Sequence, residues 1–247
     1  RVPAPGARIN ITPDGQAIDT AYLGFTMSPH EECAVEEAVQ LVERHGGEAT
    51  VLTLGPAEAD EQLRYAASLG VANAVLLPID GPDWDPQRTA SAIAAAIGGL
   101  ESADGPFDLI LFGNESADSG GFQVGIRVAH SLDRPVVNGI KGIDVDGDTL
   151  RARREADAGV EVYEVPMPAV LGVKEGINLP RYPTLKGRLA SKKVDVAQVP
   201  PDAAEGGQRM ITLLPAAEQV SATVILGNGP EAAAAVVDML EEIGVVK

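Results

Sequence analysis

The sequence predicts an α/β protein built on a doubly wound, mostly parallel sheet. Between Met27 and Val137, apolar runs of about five residues alternate with helical patterns of about 10 to 15, which is the signature of strand-helix-strand crossovers. Most of the short runs are continuously apolar rather than alternating, as expected of strands covered on both faces. Beyond Lys141 the period shortens, and an antiparallel ribbon is expected to be attached to the sheet.

The elements follow in order. After Met27, Ser28-Pro29 and the acids behind it start a helix through HEECAVEEAVQLVERH, with Ala34, Val35, Ala38, Val39, Leu41 and Val42 on one face and Gly46-Gly47 as its stop. ATVLTLGP reads as a strand, AEADEQLRYAASLG as a helix, NAVLLPI as a strand and QRTASAIAAAIGGL as a helix. DLILFG is a fully apolar strand, FQVGIRVAHSL a helix, and PVV the start of a further extended segment. KGIDVDG, DTLRARREA and VEVYEVPM form the ribbon through Asp-Gly and Ala-Gly turns, and MPAVLGV returns to the core. Residues 175–194 sustain no apolar period and read as an exposed loop with a short helix. Residues 195–221, rich in Pro, Ala, Gly and Gln, read as an extended arm, followed by SATVILG and a closing helix that begins near Pro230. The expected organisation is a domain over 1–194 and a C-terminal arm with its helix over 195–247. A further strand is expected upstream of Arg1.

Composition narrows the function. The chain has 247 residues, 45% of them hydrophobic, and a formal charge of −17, which disfavours nucleic acid and anionic membrane surfaces. No apolar run approaches the ~20 residues that span a bilayer, so membrane insertion is not expected. Cys33 is the single cysteine, which excludes an internal disulfide framework and fits a reducing compartment. His30, His45 and His130 lack metal-ligand spacing, and no metal site is expected. Ser116 and Ser119 have no His/Asp arrangement around them, and Cys33 sits on an apolar helix face as a packing residue, so no catalytic residue is assigned.

Two constellations remain. At the carboxyl end of DLILFG the chain enters Asn114-Glu115-Ser116-Ala117-Asp118-Ser119-Gly120-Gly121-Phe122-Gln123-Val124-Gly125 and then a helix. Ligands bind at such strand ends in open α/β sheets, and the free N–H groups of a helix start favour phosphate. The glycines serve a connecting turn equally well, because neither Walker nor GxGxxG order is present. His30, at its helix start, either faces a cofactor on the same sheet edge or lies in solvent as a cap-region residue. The pairs Glu31/Glu32 and Glu36/Glu37 read as a hydrated helix face. The second constellation is electrostatic: residues 174–193 carry Lys174, Arg181, Lys186, Arg188, Lys192 and Lys193 against Glu175 alone, a local +5 in a strongly acidic chain. Tyr182 and Leu185 within it have no evident core partner, which suits either a solvated loop or a docking surface with apolar anchors.

These residues also carry a family likeness. MSPHEECAVEEAVQL, LTLGPAEADEQLRYAASLGVANAVLL, FGNESADSGGFQVGIRVA, RREADAGVEVYEVPMPAVLGV and INLPRYPTLKGRLASKK, in this order, resemble the β subunit of electron transfer flavoproteins from Arg1 to about Lys193. The resemblance implies a Rossmann-like fold of the adenine-nucleotide-binding type and a heterodimer with an α subunit that carries most of the FAD site. It implies an AMP bound in this chain's own sheet, and electrons passed from flavin dehydrogenases to a quinone reductase or another acceptor. By position, the AMP site falls on Ser28, Pro29, His30, Glu31 and Leu54, and on the loop from Asp118 through Ser119, Gly120, Gly121, Phe122, Gln123, Val124 and Gly125 to Ala129. The recognition loop falls on 172–193, with Arg181, Tyr182, Leu185, Lys186 and Arg188 facing the dehydrogenase and Leu185 as its anchor. The C-terminal arm, Pro-rich and short of apolar residues, is expected with its helix to order against the partner subunit. The implied compartment is the cytoplasm in a bacterium or the mitochondrial matrix in a eukaryote. Ser28 replaces a frequent Asn, His30 a frequent aromatic, and Asn178-Leu179-Pro180 the usual Asn-Glu-Pro. Two alternatives stay open: an electron-bifurcating subunit with a second FAD in place of AMP and NADH as donor, and a flavin-free adenine-nucleotide-binding regulatory protein.

Overall fold

The computed structural model describes residues 1–215 and 223–246. The predicted arm from 216 to 221, and the first two residues of SATVILG, lie outside the described residues. The chain divides into two units, Arg1–Leu213 and Leu214–Lys247. The division falls beyond the 194/195 boundary expected from composition, because the first part of the arm packs as sheet and core.

In the first unit the elements are β1 (Val2–Pro3), β2 (Phe25–Thr26), α1 (Pro29–His45), β3 (Thr50–Gly55), α2 (Asp60–Leu69), β4 (Asn73–Pro78), α3 (Pro86–Asp104), β5 (Leu109–Gly113) and α4 (Val124–Ser131). They continue as β6 (Val136–Asp146), β7 (Thr149–Ala156), β8 (Gly159–Pro166), β9 (Ala169–Val173), α5 (Leu185–Ser191) and β10 (Val196–Gln198). The architecture is mixed α/β with mostly parallel pairing in its central strands, as predicted, and it is compatible with a Rossmann-like fold. Strands β5, β9 and β6 pair in parallel, and β6, β7 and β8 continue the same sheet as an antiparallel meander. Strands β10, β4 and β3 form a separate parallel sheet, and β1 pairs with β2. Among the described residues β3 and β5 are not paired with each other, yet Leu52 and Leu54 of β3 and Ile110 and Phe112 of β5 pack on one core cluster around Leu77, Ile93 and Val128.

Strand β6 does the work of two predicted segments. It runs beside β9 and then swings into the meander, with a register shift near Gly139, whose φ of +72° a side chain would resist. The reason β9 reads as a continuous apolar run is plain: each of Ala169–Val173 is buried between neighbouring strands and packed elements. Strand β10 was not legible as a strand because only three residues of the arm pair with β4, too few to show a period.

The second unit contains α6 (Ala232–Glu242), none of whose residues is buried. Val236, Val237, Met239 and, just beyond the helix, Ile243 and Val245 are exposed. Among the described residues no helix is long and apolar enough to cross a membrane.

Candidate functional site

Helix α1 begins where the sequence predicts, and its first turn lies against the end of β5. Ser28 is its extended N-cap residue and Pro29 opens the helix. Ser28 is buried, but its Oγ has no hydrogen-bond partner and does not cap the helix. His30 is only 8% exposed, so the exposed-cap alternative does not hold. Its Nδ1 accepts from the Glu175 N–H at 3.0 Å, while its Nε2 lies 3.4 Å from Glu115 Oε1. Glu31 turns inward: a Cβ on Gly113 would stand 2.5 Å from its carboxyl carbon, so the bare strand end is what admits it. Its Oε2 is buried without a partner. Burial pushes the Glu31 carboxyl up to about 7, with the backbone opposing the rise and Asp118 and Glu115 adding to it.

Past Gly113 the chain closes a tight turn. The Gly120 N–H donates to the Ser116 carbonyl at 2.7 Å and the Ser116 N–H to the Gly121 carbonyl at 2.8 Å. Ser116 Oγ donates to Asp118 at 2.5 Å and lies 2.8 Å from Ser119 Oγ. Gly120 has φ +63°, which fits its role at the turn. Gln123 precedes α4 without capping it through its side chain, accepting instead from Arg127. The first-turn N–H groups of α4 therefore have no side-chain cap. Gly125 serves packing, since a Cβ there would meet the Phe112 ring at 3.1 Å. Phe122 is half exposed. Leu54 and Val124 join the cluster that Phe112 also packs on. Ala129, by contrast, lies within α4 and is fully buried.

The structure thus brings Ser28–Glu31 to the β5 end and its turn, sets Leu54 and Val124 on the neighbouring cluster, and leaves Ala129 in the core. Sequence reasoning gave no site role to Gly113, Glu115 or Glu175, although Glu115 stood within the loop that it picked out and Gly113 ended the apolar strand before it. The helix start of α4 also lines a cleft of about 210 Å³ with Asp85, Gln87, Arg127 and Gln208. Here the arm is tied down by the Gln208 N–H donating to Asp85 at 2.6 Å.

The basic segment is held differently from the expectation. Glu36 and Glu37 do not form a hydrated face: they are 2% and 5% exposed, because residues 175–182 fold back across α1 and cover them. Arg181 donates through its guanidinium to both Glu36 and Glu43. Burial pushes the Glu36 carboxyl up, but the bonds from Arg181 and Gln40 outweigh it and hold Glu36 below the usual carboxylate range. Asn178 donates to Glu37 and to the Cys33 carbonyl. Cys33 itself is a buried packing residue. Thr184 caps α5 by accepting from the Gly187 N–H at 3.0 Å, and Arg64 donates to the Ser191 and Val194 carbonyls at the helix's far end. On this fixed base Tyr182 is 90% and Leu185 76% exposed, joined by exposed Leu179, Leu189, Lys186 and Arg188. A short helix does occur in the segment, at α5.

Comparison with known proteins agrees with the resemblance read from the sequence. A family model described as electron transfer flavoprotein domain matches residues 17–204. The chain is 36% identical over 223 residues to the electron transfer flavoprotein subunit beta of Syntrophomonas wolfei, covering 90% of this chain and 85% of that one. It is 35% identical over 202 residues to the subunit of the same name from Mycobacterium tuberculosis strain H37Rv, covering 79% and 74%. It is 37% identical over 170 residues to that of Bacillus subtilis, covering 68% of this chain and 65% of the relative, just under two thirds of its length.

Proposed function

Since the chain belongs to the electron transfer flavoprotein family, as a β subunit, we propose that it forms a heterodimer with an α subunit, contributes one wall of that partner's FAD site and holds AMP at the end of its own sheet. The bound FAD supplies the electron-carrying chemistry, taking electrons from flavin dehydrogenases and delivering them to a quinone reductase or another acceptor. The residues of this chain bind, orient and dock.

The residues at the β5 end fit an adenine nucleotide. Ser28 Oγ and Glu31 Oε2 are buried polar atoms in want of partners, which a polar ligand supplies. The α4 start offers N–H groups to a phosphate. Glu115 and Asp118 repel an anion, so phosphate belongs at α4 and the acids belong with hydroxyl or amino donors of the ligand. The exposed apolar residues of α6 support the reading of the C-terminal unit as a partner-subunit contact.

The observation that carries the docking role is Tyr182 and Leu185, exposed and ringed by Lys186 and Arg188 on a segment anchored at both ends. Apolar anchors within a cationic rim suit a transient contact with an acidic partner surface. Leu185→Ala in the heterodimer is expected to slow electron transfer from the dehydrogenase, through a raised KM, while FAD and AMP are retained. Unchanged transfer kinetics would refute the docking role.

A further inference from the structure

We propose that Arg181 is a positioning residue rather than a partner contact, and that the carboxylates of Glu36, Glu37 and Glu43 on α1 are the frame that sets the docking surface. This rests on the docking role proposed for the Leu185 segment.

Four of the guanidinium's N–H donors are already engaged. Its Nε donates to Glu36 at 2.9 Å, one terminal nitrogen to Glu43 at 2.6 Å, and the other to Glu36 at 3.0 Å and Glu43 at 2.9 Å. The Arg181 backbone N–H adds a bond to Glu36 at 3.2 Å. Two carboxylates thus take up the planar fork of donors that would otherwise recognise a partner carboxylate. The Glu36 side chain is 3% exposed, so this is not an ordinary surface pair. Three residues upstream Asn178 is tied to Glu37 at 3.1 Å, and Glu37 is also held by Arg44 at 2.8 Å. Further upstream His30 accepts from the Glu175 N–H. One helix therefore fixes positions 175, 178 and 181, and the very next residue is the exposed Tyr182. Among the cations beyond Arg181 are the exposed Lys186 and Arg188, with Lys192 and Lys193 following them in the chain.

Charge and position make opposite forecasts, which is what makes the proposal testable. If Arg181 met the partner directly, Arg181→Gln would weaken docking, while Glu36→Gln and Glu43→Gln, by releasing its charge, would leave docking unchanged or tighten it. If Arg181 positions the segment, all three weaken docking alike. Glu43 is exposed, so Glu43→Gln folds even if removing the buried Glu36 charge does not.

The experiment uses the intact heterodimer and a purified flavin dehydrogenase that reduces the wild-type complex. It reads KM and kcat for that reaction, together with amide hydrogen exchange over 177–189. The expected result is a severalfold rise in KM with kcat little changed in all three variants, faster exchange at 177–182, and partial rescue by Arg181→Lys. A raised KM in Arg181→Gln alone, or unaltered exchange in all three variants, overturns the proposal. Faster exchange in the three variants, together with an unmoved KM in Leu185→Ala, would instead overturn the docking role on which it rests.

Discussion

Glu31 shows how one side chain can tie stability to pH at the proposed nucleotide site. Its carboxyl has an ordinary value near 4.5 and is pushed up to about 7 by burial. Between those values the unfolded chain has released the proton and the folded chain still holds it. Stability from this group therefore falls as pH rises from about 4.5 to about 7, by roughly 3 kcal/mol at ~1.4 kcal/mol per unit of separation, and is flat above. Glu31→Gln should remove that fall, leaving the variant relatively more stable than the parent at about pH 8 than at about pH 5. Urea unfolding at both pH values checks this, and parallel pH profiles for the two proteins would contradict it. The inward turn of Glu31 was not legible in the sequence. A helical pattern says which residues share a face, but not that Gly113 leaves a gap beneath one of them. Glu36 and Glu37 were misread for the same reason: their cover comes from residues about 145 positions away, beyond the reach of local periodicity.

At the scale of elements, local signals did best where caps and turns punctuate the chain. Ser28-Pro29 and Gly46 bound α1. They did worst where an element exists only through its neighbours, as β10 does against β4. Helix α5 is a case of close approach: a Cβ on Gly187 would collide with the Ser68 carbonyl at the end of α2. Because that neighbour is backbone, it cannot swing aside. Gly187→Ala is expected to cost about 1–3 kcal/mol and to loosen α5 against α2. A lowered urea midpoint with faster tryptic cleavage after Lys186 and Arg188 is the expected outcome; an unchanged midpoint would mean that the helices separate without cost.

For the whole molecule, the α/β class and the tight turn at the end of β5 were legible because buried strands and glycine turns leave marks in the chain itself. The separation into two sheets, the arm's return onto Asp85 and the burial of α1's acidic face depend on long-range packing and left no such mark. Helix α6 carries apolar residues with none buried, which is why the C-terminal unit is proposed as a partner-subunit contact. The central claim is a β subunit paired with an α subunit around FAD, with AMP at the end of its own sheet. Native mass spectrometry of the complex isolated from its own cells, followed by acid release and identification of the nucleotides, tests it most directly. The expected result is one α partner, one FAD and one AMP per copy of this chain. Two FAD and no AMP would contradict the assignment of the β5 end to AMP, and a flavin-free chain without a partner would contradict the electron-carrier role altogether.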